Sequence, residues 1–330
     1  MKVAFFNTKP YEQKSFEAQL KDSDHEFTFF EAKLDKETAK LAEGHDAVCS
    51  FVNDYLTPLV LKRLKNYGIE NIALRCAGFN QVNLQTAKEL GIRVCRVPAY
   101  SPEAVAEHAM ALILALSRKT HKAFNRVREN NFSLVGLTGF NLHGKTVGVI
   151  GTGGIGRAFI RLAQGFGCKV LAYDLYPNSD LEATGVKYQP LQEVLDQSDI
   201  VSLHCPLTPE THHLINKQSL STMKDGVTII NTSRGGLINT KDAIMGLKQK
   251  KIGFLGIDVY EQEENIFFQN LSEEILLDEQ IARLMSFPNV IITGHQAFLT
   301  QEALAEITRV TLFNLDQMEK GGVLDNEVKV

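Results

Sequence analysis

Short apolar runs alternate with polar segments of helical period along the whole chain. In the first third, the runs that predict strands are residues 2–6, 26–30, 47–51, 72–76 and 94–97. The polar segments between them, such as residues 57–66 and 83–90, fit helices. Strands that alternate with helices at this spacing are typical of βαβ units, in which helices cover both faces of a parallel sheet. The pattern therefore predicts an α/β fold.

The pattern changes after Pro98, where one long helix is predicted from Ser101 to about Glu129. This segment opens with Ser101, Pro102 and Glu103, a favourable helix N-terminus, and contains no other Pro and no Gly. A loop is expected at residues 131–141. A second series of strands follows at residues 145–150, 169–173, 200–203, 228–231, 254–259 and 290–293, and a last helix is expected at about residues 301–320.

Two βαβ series joined by a single long helix indicate two domains of doubly wound, Rossmann-like type. The arrangement implies that the second series is inserted into the first. We then expect the C-terminal helix to return and pack on the N-terminal domain, although periodicity alone does not establish that return.

Composition narrows the range of partners. The net charge of −4 is spread along the chain and gives no electrostatic reason to expect a nucleic acid or a membrane surface. The densest basic stretch is expected to be a solvated or subunit-facing stripe, with residues 118, 122 and 126 on one helix face. The longest apolar stretch, residues 109–116, is far below the ~18 residues that indicate a membrane span.

The five cysteines predict a reduced protein in the cytoplasm. They are odd in number and form no C-x-x-C pair, and four of them lie in or at the end of apolar runs, where a thiol behaves as a small hydrophobe. The N-terminus turns polar after six residues, which is too soon for the apolar core of a signal peptide. The cysteines are Cys49, Cys76, Cys95, Cys168 and Cys205.

The strongest local motif is the glycine-rich turn of residues 151–156, G-T-G-G-I-G. A lone G-x-G-x-x-G is weak, but here an apolar strand runs into it and a helix runs out. Gly151 permits a tight turn, Gly153 lets the backbone approach a pyrophosphate, and Gly156 lets helix and strand pack closely. The alternative, a glycine-rich turn without a ligand, is much less consistent with this context. The motif predicts a dinucleotide site at a helix N-terminus.

Asp174 ends the next predicted strand, at the place where a carboxylate accepts hydrogen bonds from the adenine ribose. Its charge would repel a 2′-phosphate, and Leu175 and Tyr176 offer no arginine to hold one. The sequence therefore predicts NAD rather than NADP.

Three polar side chains follow successive predicted strands of the second series, namely Arg234, Glu263 and His295. The carboxyl ends of such strands line the ligand crevice of an open α/β sheet. An arginine can bind a carboxylate through two hydrogen bonds, although a structural ion pair would also explain it. Histidine exchanges protons near neutral pH, and a carboxylate on its other nitrogen would orient the ring and favour the imidazolium. Beside a nicotinamide cofactor, this set fits hydride transfer to a 2-keto acid.

These motifs carry a resemblance to the D-2-hydroxyacid dehydrogenase family over nearly the whole chain. The matching segments are residues 151–156, Asp174, and residues 204–209, 231–235, 258–261 and 294–298. Four further segments, residues 51–54, 75–80, 97–100 and 131–134, resemble the D-lactate dehydrogenases within that family.

The resemblance implies a domain division and a role for each matching residue. Residues 1–100 and 299–330 would form a flavodoxin-like catalytic domain, and residues 101–298 a Rossmann NAD-binding domain. Arg234 would bind the substrate, Glu263 and His295 would be the acid–base pair, and Asp174 would hold the ribose. The implied cofactor-binding residues are Gly151, Thr152, Gly153, Gly154, Ile155, Gly156, Asp174, Cys205, Pro206, Thr232, Ser233 and Asp258. The implied substrate-binding residues are Val52, Gly78, Tyr100, Arg234, His295 and Phe298.

By the same resemblance, Val52, Gly78 and Tyr100 close over the substrate from the other domain. Phe298 would limit the space for a side chain, which favours pyruvate and D-lactate. The alternatives within the family are 2-hydroxyisocaproate, phenyllactate, glycerate and glyoxylate enzymes. A different class, the NAD-sensing corepressors of similar fold, is less consistent with the D-lactate-dehydrogenase-like segments. The family also implies a homodimer or homotetramer built through the nucleotide domains.

No metal site is expected from the remaining histidines. His212 and His213 are neighbours that would face opposite ways in a regular element, and no third ligand is evident. His204 is expected to pack at the cofactor edge. The four histidines that we expect at the surface are His25, His45, His121 and His143.

Overall fold

A computed structural model describes residues 1–21 and 23–329 of the chain. The strands are β1 (Lys2–Phe5), β2 (Glu26–Phe29), β3 (Ala47–Ser50), β4 (Asn71–Leu74), β5 (Arg93–Cys95), β6 (Thr146–Ile150), β7 (Lys169–Tyr173), β8 (Lys187–Tyr188), β9 (Ile200–Leu203), β10 (Val227–Asn231), β11 (Ile252–Ile257) and β12 (Val290–Ile292).

The α-helices are α1 (Pro10–Leu20), α2 (Pro58–Asn66), α3 (Leu84–Glu89), α4 (Pro102–Arg118), α5 (Thr120–Arg128), α6 (Gly154–Gly165), α7 (Ser179–Ala183), α8 (Leu191–Gln197), α9 (Lys217–Thr222), α10 (Thr240–Lys248), α11 (Glu279–Met285) and α12 (Gln301–Lys320). Short 3₁₀ helices cover Ala39–Ala42, Gly235–Leu237 and Glu263–Asn265. No helix within the described residues is long and apolar enough to cross a lipid bilayer.

The chain forms two compact units, one of Met1–Ser101 with Leu299–Val330 and one of Pro102–Phe298. The first unit contains a parallel sheet in the order β2-β1-β3-β4-β5. All four residues of both β3 and β4 are buried, as expected of central strands with both faces covered. Helix α12 belongs to this unit and packs on α1, where the hydroxyls of Ser15 and Thr308 lie 2.8 Å apart.

The second unit contains a seven-stranded parallel sheet in the order β12-β11-β10-β9-β6-β7-β8. Strand β6 is central, and the chain winds first to one side of it and then to the other. Ligand crevices of such sheets open at the carboxyl ends of the strands beside this reversal, here between β6 and β9. The two-residue edge strand β8 has no counterpart among the sequence predictions, because a pair of residues is too short for a recognisable period.

The prediction of one helix from Ser101 to Glu129 is wrong. Lys119 adopts a left-handed backbone conformation with φ of 53°, and it separates α4 from α5. The loop that follows α5 folds back on the end of α4, so closely that a Cβ on Gly139 would overlap the carbonyl oxygen of Ser117. The expected basic stripe is therefore divided, with Arg118 on α4 and residues 122 and 126 on α5.

The expectation that His25 lies at the surface is also wrong. Its side chain is only 1% exposed, and its Nε2 lies 3.0 Å from a carboxylate oxygen of Asp316 on α12. The amino group of Met1 lies 3.2 Å from the other ring nitrogen. Asp316 is remote from His25 in sequence and the other partner is the chain terminus, so no local pattern indicates that His25 is buried.

Candidate active site

The three polar side chains that follow successive strands come from neighbouring strands at one edge of the second sheet. Arg234 lies three residues after the end of β10, Glu263 follows β11, and His295 follows β12. Strands β10, β11 and β12 are adjacent and parallel, so their carboxyl ends meet at the same edge. At these carboxyl ends, a cation, a carboxylate and an imidazole can therefore act on one ligand.

The turn that carries His295 is organised by the buried carboxylate of Asp258. Its Oδ1 accepts hydrogen bonds from the Gln296 amide at 2.9 Å and the Thr293 hydroxyl at 2.5 Å, and its Oδ2 accepts one from the Ala297 amide at 2.8 Å. The His295 amide donates to the Asp258 carbonyl at 2.8 Å. Burial raises the pKa of Asp258, but hydrogen bonds from His108, Thr293 and the two amides outweigh it and hold the pKa below its usual value.

His295 and Glu263 form a direct pair. Nδ1 of His295 lies 2.8 Å from Oε1 of Glu263, and both side chains are about four-fifths buried, with 20% and 24% exposure. Oε2 of Glu263 accepts a hydrogen bond from the Tyr260 amide at 2.8 Å, which holds the carboxylate in place. His295 has a φ of 54°, a conformation that costs energy for a non-glycine residue and turns the ring toward Glu263. Within the described residues, Nε2 of His295 has no hydrogen-bond partner, so this nitrogen is available to a ligand.

Arg234 lies in a turn braced by Asn231. The side-chain amide of Asn231 donates to the Arg234 carbonyl at 2.8 Å, and its oxygen accepts from the Ser233 amide at 3.0 Å. A Cβ on Gly235 would overlap the carbonyl of Tyr260, so glycine is needed for this turn to approach the segment that leads to Glu263. The guanidinium is half-buried and donates to the Ser233 carbonyl at 2.7 Å. No carboxylate pairs with Arg234 in the part of the chain that the structure describes, which removes the main support for a purely structural ion pair.

The glycine-rich turn has the geometry of a phosphate-binding loop. Gly151 adopts φ of 94°, and a Cβ there would come within 2.6 Å of the Cys205 amide nitrogen. A Cβ on Gly156 would overlap the Gly151 carbonyl oxygen. Gly153 is different, because it caps α6 and no atom of the described residues lies within 4 Å of a Cβ placed on it. Space is thus left beside the free amides of the twelve-residue helix α6, which begins with Gly154 and Ile155.

Asp174 lies at the end of β7, beside this turn. Its carboxylate accepts hydrogen bonds from the Thr152 amide at 2.5 Å, the Thr152 hydroxyl at 3.0 Å and the Tyr176 amide at 2.9 Å. Burial raises the pKa of Asp174, but these hydrogen bonds outweigh it and hold the pKa below its usual value, so the group is ionised near neutral pH. A carboxylate accepts up to about four hydrogen bonds, which leaves capacity for a ribose hydroxyl.

The segments after β9 and β10 supply the other wall of the dinucleotide crevice. The Ser233 hydroxyl donates to the Cys205 carbonyl at 2.7 Å and joins the two segments, while Pro206 is exposed. Among the described residues, the buried Thr232 hydroxyl and Nδ1 of His204 have no hydrogen-bond partner. Desolvation lowers the pKa of His204 to about 3, so its ring is neutral. Buried polar atoms are rarely left without partners, and a ligand would supply them.

Val52, Gly78 and Tyr100 belong to the first unit. They follow β3, β4 and β5 and are half-buried at the carboxyl ends of these strands. Phe298 is the last residue of the second unit and is 8% exposed.

Two side chains near His295 were not identified from the sequence. Nε2 of His108, on α4, lies 3.0 Å from the Thr293 hydroxyl and 3.5 Å from Oδ1 of Asp258. The ring of Phe268 lies 5.6 Å from that of His295, measured between centroids. His108 is one polar residue within a long apolar helix and Phe268 is one aromatic residue in a loop. Neither position carries a local signal of its role.

Comparison with known proteins identifies the family of the chain. Residues 110–297 match the family model of the D-isomer specific 2-hydroxyacid dehydrogenase, NAD binding domain. The chain is 51% identical over 328 residues to D-lactate dehydrogenase of Escherichia coli strain K12, covering 99% of this chain and 100% of that protein.

Two solved structures extend the comparison. The apo-structure of the D-lactate dehydrogenase from Escherichia coli matches with a TM-score of 0.92 and 50% identity, and all of both chains is covered. D-lactate dehydrogenase with NAD+ from Lactobacillus jensenii matches with a TM-score of 0.85 and 31% identity, again over all of both chains.

The contrast between Gly153 and Gly156 generates a test of the dinucleotide site. Gly153→Ala should leave the melting temperature unchanged, because a Cβ there meets no protein atom, but should weaken NADH binding at least tenfold, about 1.4 kcal/mol. Gly156→Ala is the matched control and should destabilise the protein by about 1–3 kcal/mol through overpacking. Calorimetric titration measures the NADH affinity of each variant, and thermal unfolding measures its stability. An unchanged NADH affinity in Gly153→Ala would contradict the assignment.

Proposed function

The chain belongs to the D-2-hydroxyacid dehydrogenase family and is an NAD-dependent enzyme of it, and we propose that it interconverts pyruvate and D-lactate. The proposal assigns substrate binding to Arg234 and proton transfer to the pair of His295 and Glu263. The observation that carries it is the 2.8 Å contact of His295 Nδ1 with Glu263, which leaves Nε2 directed away from the carboxylate and free for a substrate.

Arg234 would hold the carboxylate of the substrate. A planar guanidinium presents parallel donors that match the two oxygens of a carboxylate, and the bond strengthens where water is partly excluded. The half-buried Arg234 has no competing carboxylate among the described residues, so its charge is available. Holding the substrate by this end would fix the neighbouring carbonyl carbon in one orientation.

His295 would transfer the proton. In the reducing direction, the imidazolium donates the proton on Nε2 to the ketone oxygen as the alcohol forms, and in the oxidising direction neutral Nε2 accepts it. Glu263 would stabilise the imidazolium through Nδ1 and keep the ring in one orientation. Asp258 would act one step further away, by holding the backbone of the His295 turn.

The residues around the glycine-rich turn fit NAD. Bound NADH supplies the hydride that reduces the carbonyl carbon of the substrate. The amides at the start of α6 would hold the pyrophosphate, and Asp174 the adenine ribose. The buried Thr232 hydroxyl has no protein partner among the described residues. The residues that would line the nicotinamide side are Thr152, Ile155, Cys205, Pro206, Thr232 and Asp258.

Pyruvate is proposed as the substrate because Phe298 would leave little space for a longer side chain. The relative from Escherichia coli is a D-lactate dehydrogenase, which supports the same choice. The roles of Val52, Gly78 and Tyr100 in covering the substrate stay predictions. Bulkier 2-keto acids, such as the isocaproate and phenylpyruvate types, are the competing substrates.

The decisive experiment is NADH oxidation by the purified protein with a panel of 2-keto acids, followed by chiral analysis of the product. We expect kcat/KM for pyruvate to exceed that for each bulkier acid by about tenfold or more, with D-lactate as the product. Phe298→Ala should narrow this difference by admitting longer side chains. Preference of the unaltered protein for a bulkier acid would contradict the substrate proposal while preserving the assigned chemistry. L-Lactate as the product would contradict the stereochemistry.

The proton-transfer assignment is tested with His295→Asn. We expect kcat to fall by about 10²–10⁴-fold, with the Kd for NADH nearly unchanged, because the residue acts on the proton and not on the cofactor. His143→Asn, at an exposed histidine, is the matched control and should retain full activity. Stopped-flow single turnovers measure the rate of the chemical step, and titration with NADH measures the Kd separately. A large loss of NADH affinity with an unchanged rate of single turnover would argue against the assignment.

The protein is also proposed to be a homo-oligomer that associates through the second unit. Large apolar side chains on α5 and the following loop are between 50% and 81% exposed, namely Phe124, Val127, Phe132, Leu134 and Val135. The Arg126 guanidinium donates to the Val135 carbonyl at 2.7 Å and ties the loop to α5. Exposed apolar surface of this kind marks an association site.

Sedimentation velocity tests the association surface. Leu134→Glu combined with Val135→Glu should lower the oligomeric state, because the two added charges would be buried unpaired at the interface. Val323→Glu is a control at an equally exposed apolar residue of the first unit and should not change the sedimentation coefficient. An unaltered coefficient in the double variant would show that association uses another surface.

We further propose that the protein acts in the cytoplasm on small molecules. The five free cysteines are consistent with a reducing compartment.

A further inference from the structure

His212, His213 and Glu261 lie close together, outside the set of residues assigned to catalysis. Each offers one ligand atom, and the three atoms lie within 4.8 Å of one another. The sequence expectation that the two histidines face opposite ways and lack a third ligand is therefore wrong. We propose that these three side chains form a binding site for a divalent transition-metal ion of the zinc class.

The backbone at His213 explains why neighbouring side chains meet. His213 adopts a left-handed conformation with φ of 53°, so its ring does not alternate with that of His212. The two ring centroids are 3.8 Å apart with an interplanar angle of 31°. The His213 amide donates to the Gly236 carbonyl at 2.8 Å, and the side chain of Asn216 donates to the His213 carbonyl at 2.8 Å. These two bonds hold the backbone in this conformation.

The carboxylate of Glu261 is held in one orientation by hydrogen-bond donors, as the carboxylate ligands of metal ions usually are. Its Oε2 accepts hydrogen bonds from the Thr240 amide at 3.1 Å and the Thr240 hydroxyl at 2.8 Å. Its Oε1 lies 2.6 Å from Nε2 of His213. Both carboxylate oxygens are thus held in place, one by Thr240 and the other by His213. Metal ligands are typically oriented by such outer hydrogen bonds.

The donor set selects the class of ion. Two imidazoles and one carboxylate suit Zn²⁺, Ni²⁺ or Cu²⁺ better than the harder Mg²⁺ and Ca²⁺, which prefer oxygen ligands. Three protein ligands leave a fourth tetrahedral position for water. His212 is exposed, and the side chains of His213 and Glu261 are 27% and 24% exposed, so an ion can enter from solvent.

Metal binding replaces the proton that His213 Nε2 and Glu261 Oε1 share. That proton leaves to solvent, and the metal takes its place between the two residues. The other ring nitrogen, Nδ1, then carries a proton and faces the side-chain nitrogen of Asn239 at 3.3 Å. Asn239→Asp would instead offer an acceptor there and would keep the N-cap of α10.

Titration of the tag-free, metal-stripped protein with Co²⁺, followed by visible absorbance, tests the proposal. We expect one Co²⁺ per chain with the intense absorbance of low-coordinate cobalt, displaced by Zn²⁺. His212→Asn should weaken binding by at least about 10–100-fold, the loss that removing even an outer partner of a metal ligand causes. Asn239→Asp should strengthen binding. Because His212 is exposed, His212→Asn should fold and keep its activity without metal.

Two controls distinguish this site from other histidines. His143→Asn, at a distant exposed histidine, and His295→Asn, in the catalytic pair, should both bind Co²⁺ as the unaltered protein does. Loss of the signal in His295→Asn but not in His212→Asn would place the ion at the catalytic pair and overturn the proposal. Equal binding in all variants, or no binding in the unaltered protein, would overturn it as well.

Discussion

The carboxylate of Asp258 is the point on which the catalytic edge depends. A charge with no exposed surface costs several kcal/mol unless hydrogen bonds compensate for it. Here the amides of Gln296 and Ala297 and the Thr293 hydroxyl provide that compensation. The same bonds hold the backbone on both sides of His295 and maintain its left-handed conformation. Stabilising one buried charge thus orients the imidazole that faces Glu263.

Close approach of neighbouring strand ends connects this turn to the rest of the site. Gly235 allows the turn of Arg234 to pack against the Tyr260 backbone, and the Tyr260 amide in turn holds the Glu263 carboxylate. The parallel sheet gives all three segments the same direction, so cation, carboxylate and imidazole emerge at one edge. Glu261 lies on the same segment but is directed to Thr240 and His213. One loop therefore serves both the catalytic pair and the proposed metal site.

The periodicity of the sequence predicted eleven of the twelve strands to within about two residues at each end, and it also predicted the last helix. Burial on two faces produces uninterrupted apolar runs, which are readable without a structure. The two exceptions differ in kind. Strand β8 is too short for a period, and the break at Lys119 lies where a loop from further along the chain packs against the end of α4. No pattern within residues 101–129 records that contact.

The order of elements, the dinucleotide turn and the residue types that follow each strand are readable from the sequence, because they depend on neighbours close along the chain. Which of those residues meet depends on how the whole chain packs. His108 reaches Thr293 across 185 positions, and His213 reaches Glu261 across 48. Burial of His25 depends on a helix almost 300 residues away. Hydrogen bonds between such distant groups depend on how the chain packs, and a local pattern carries no information about them.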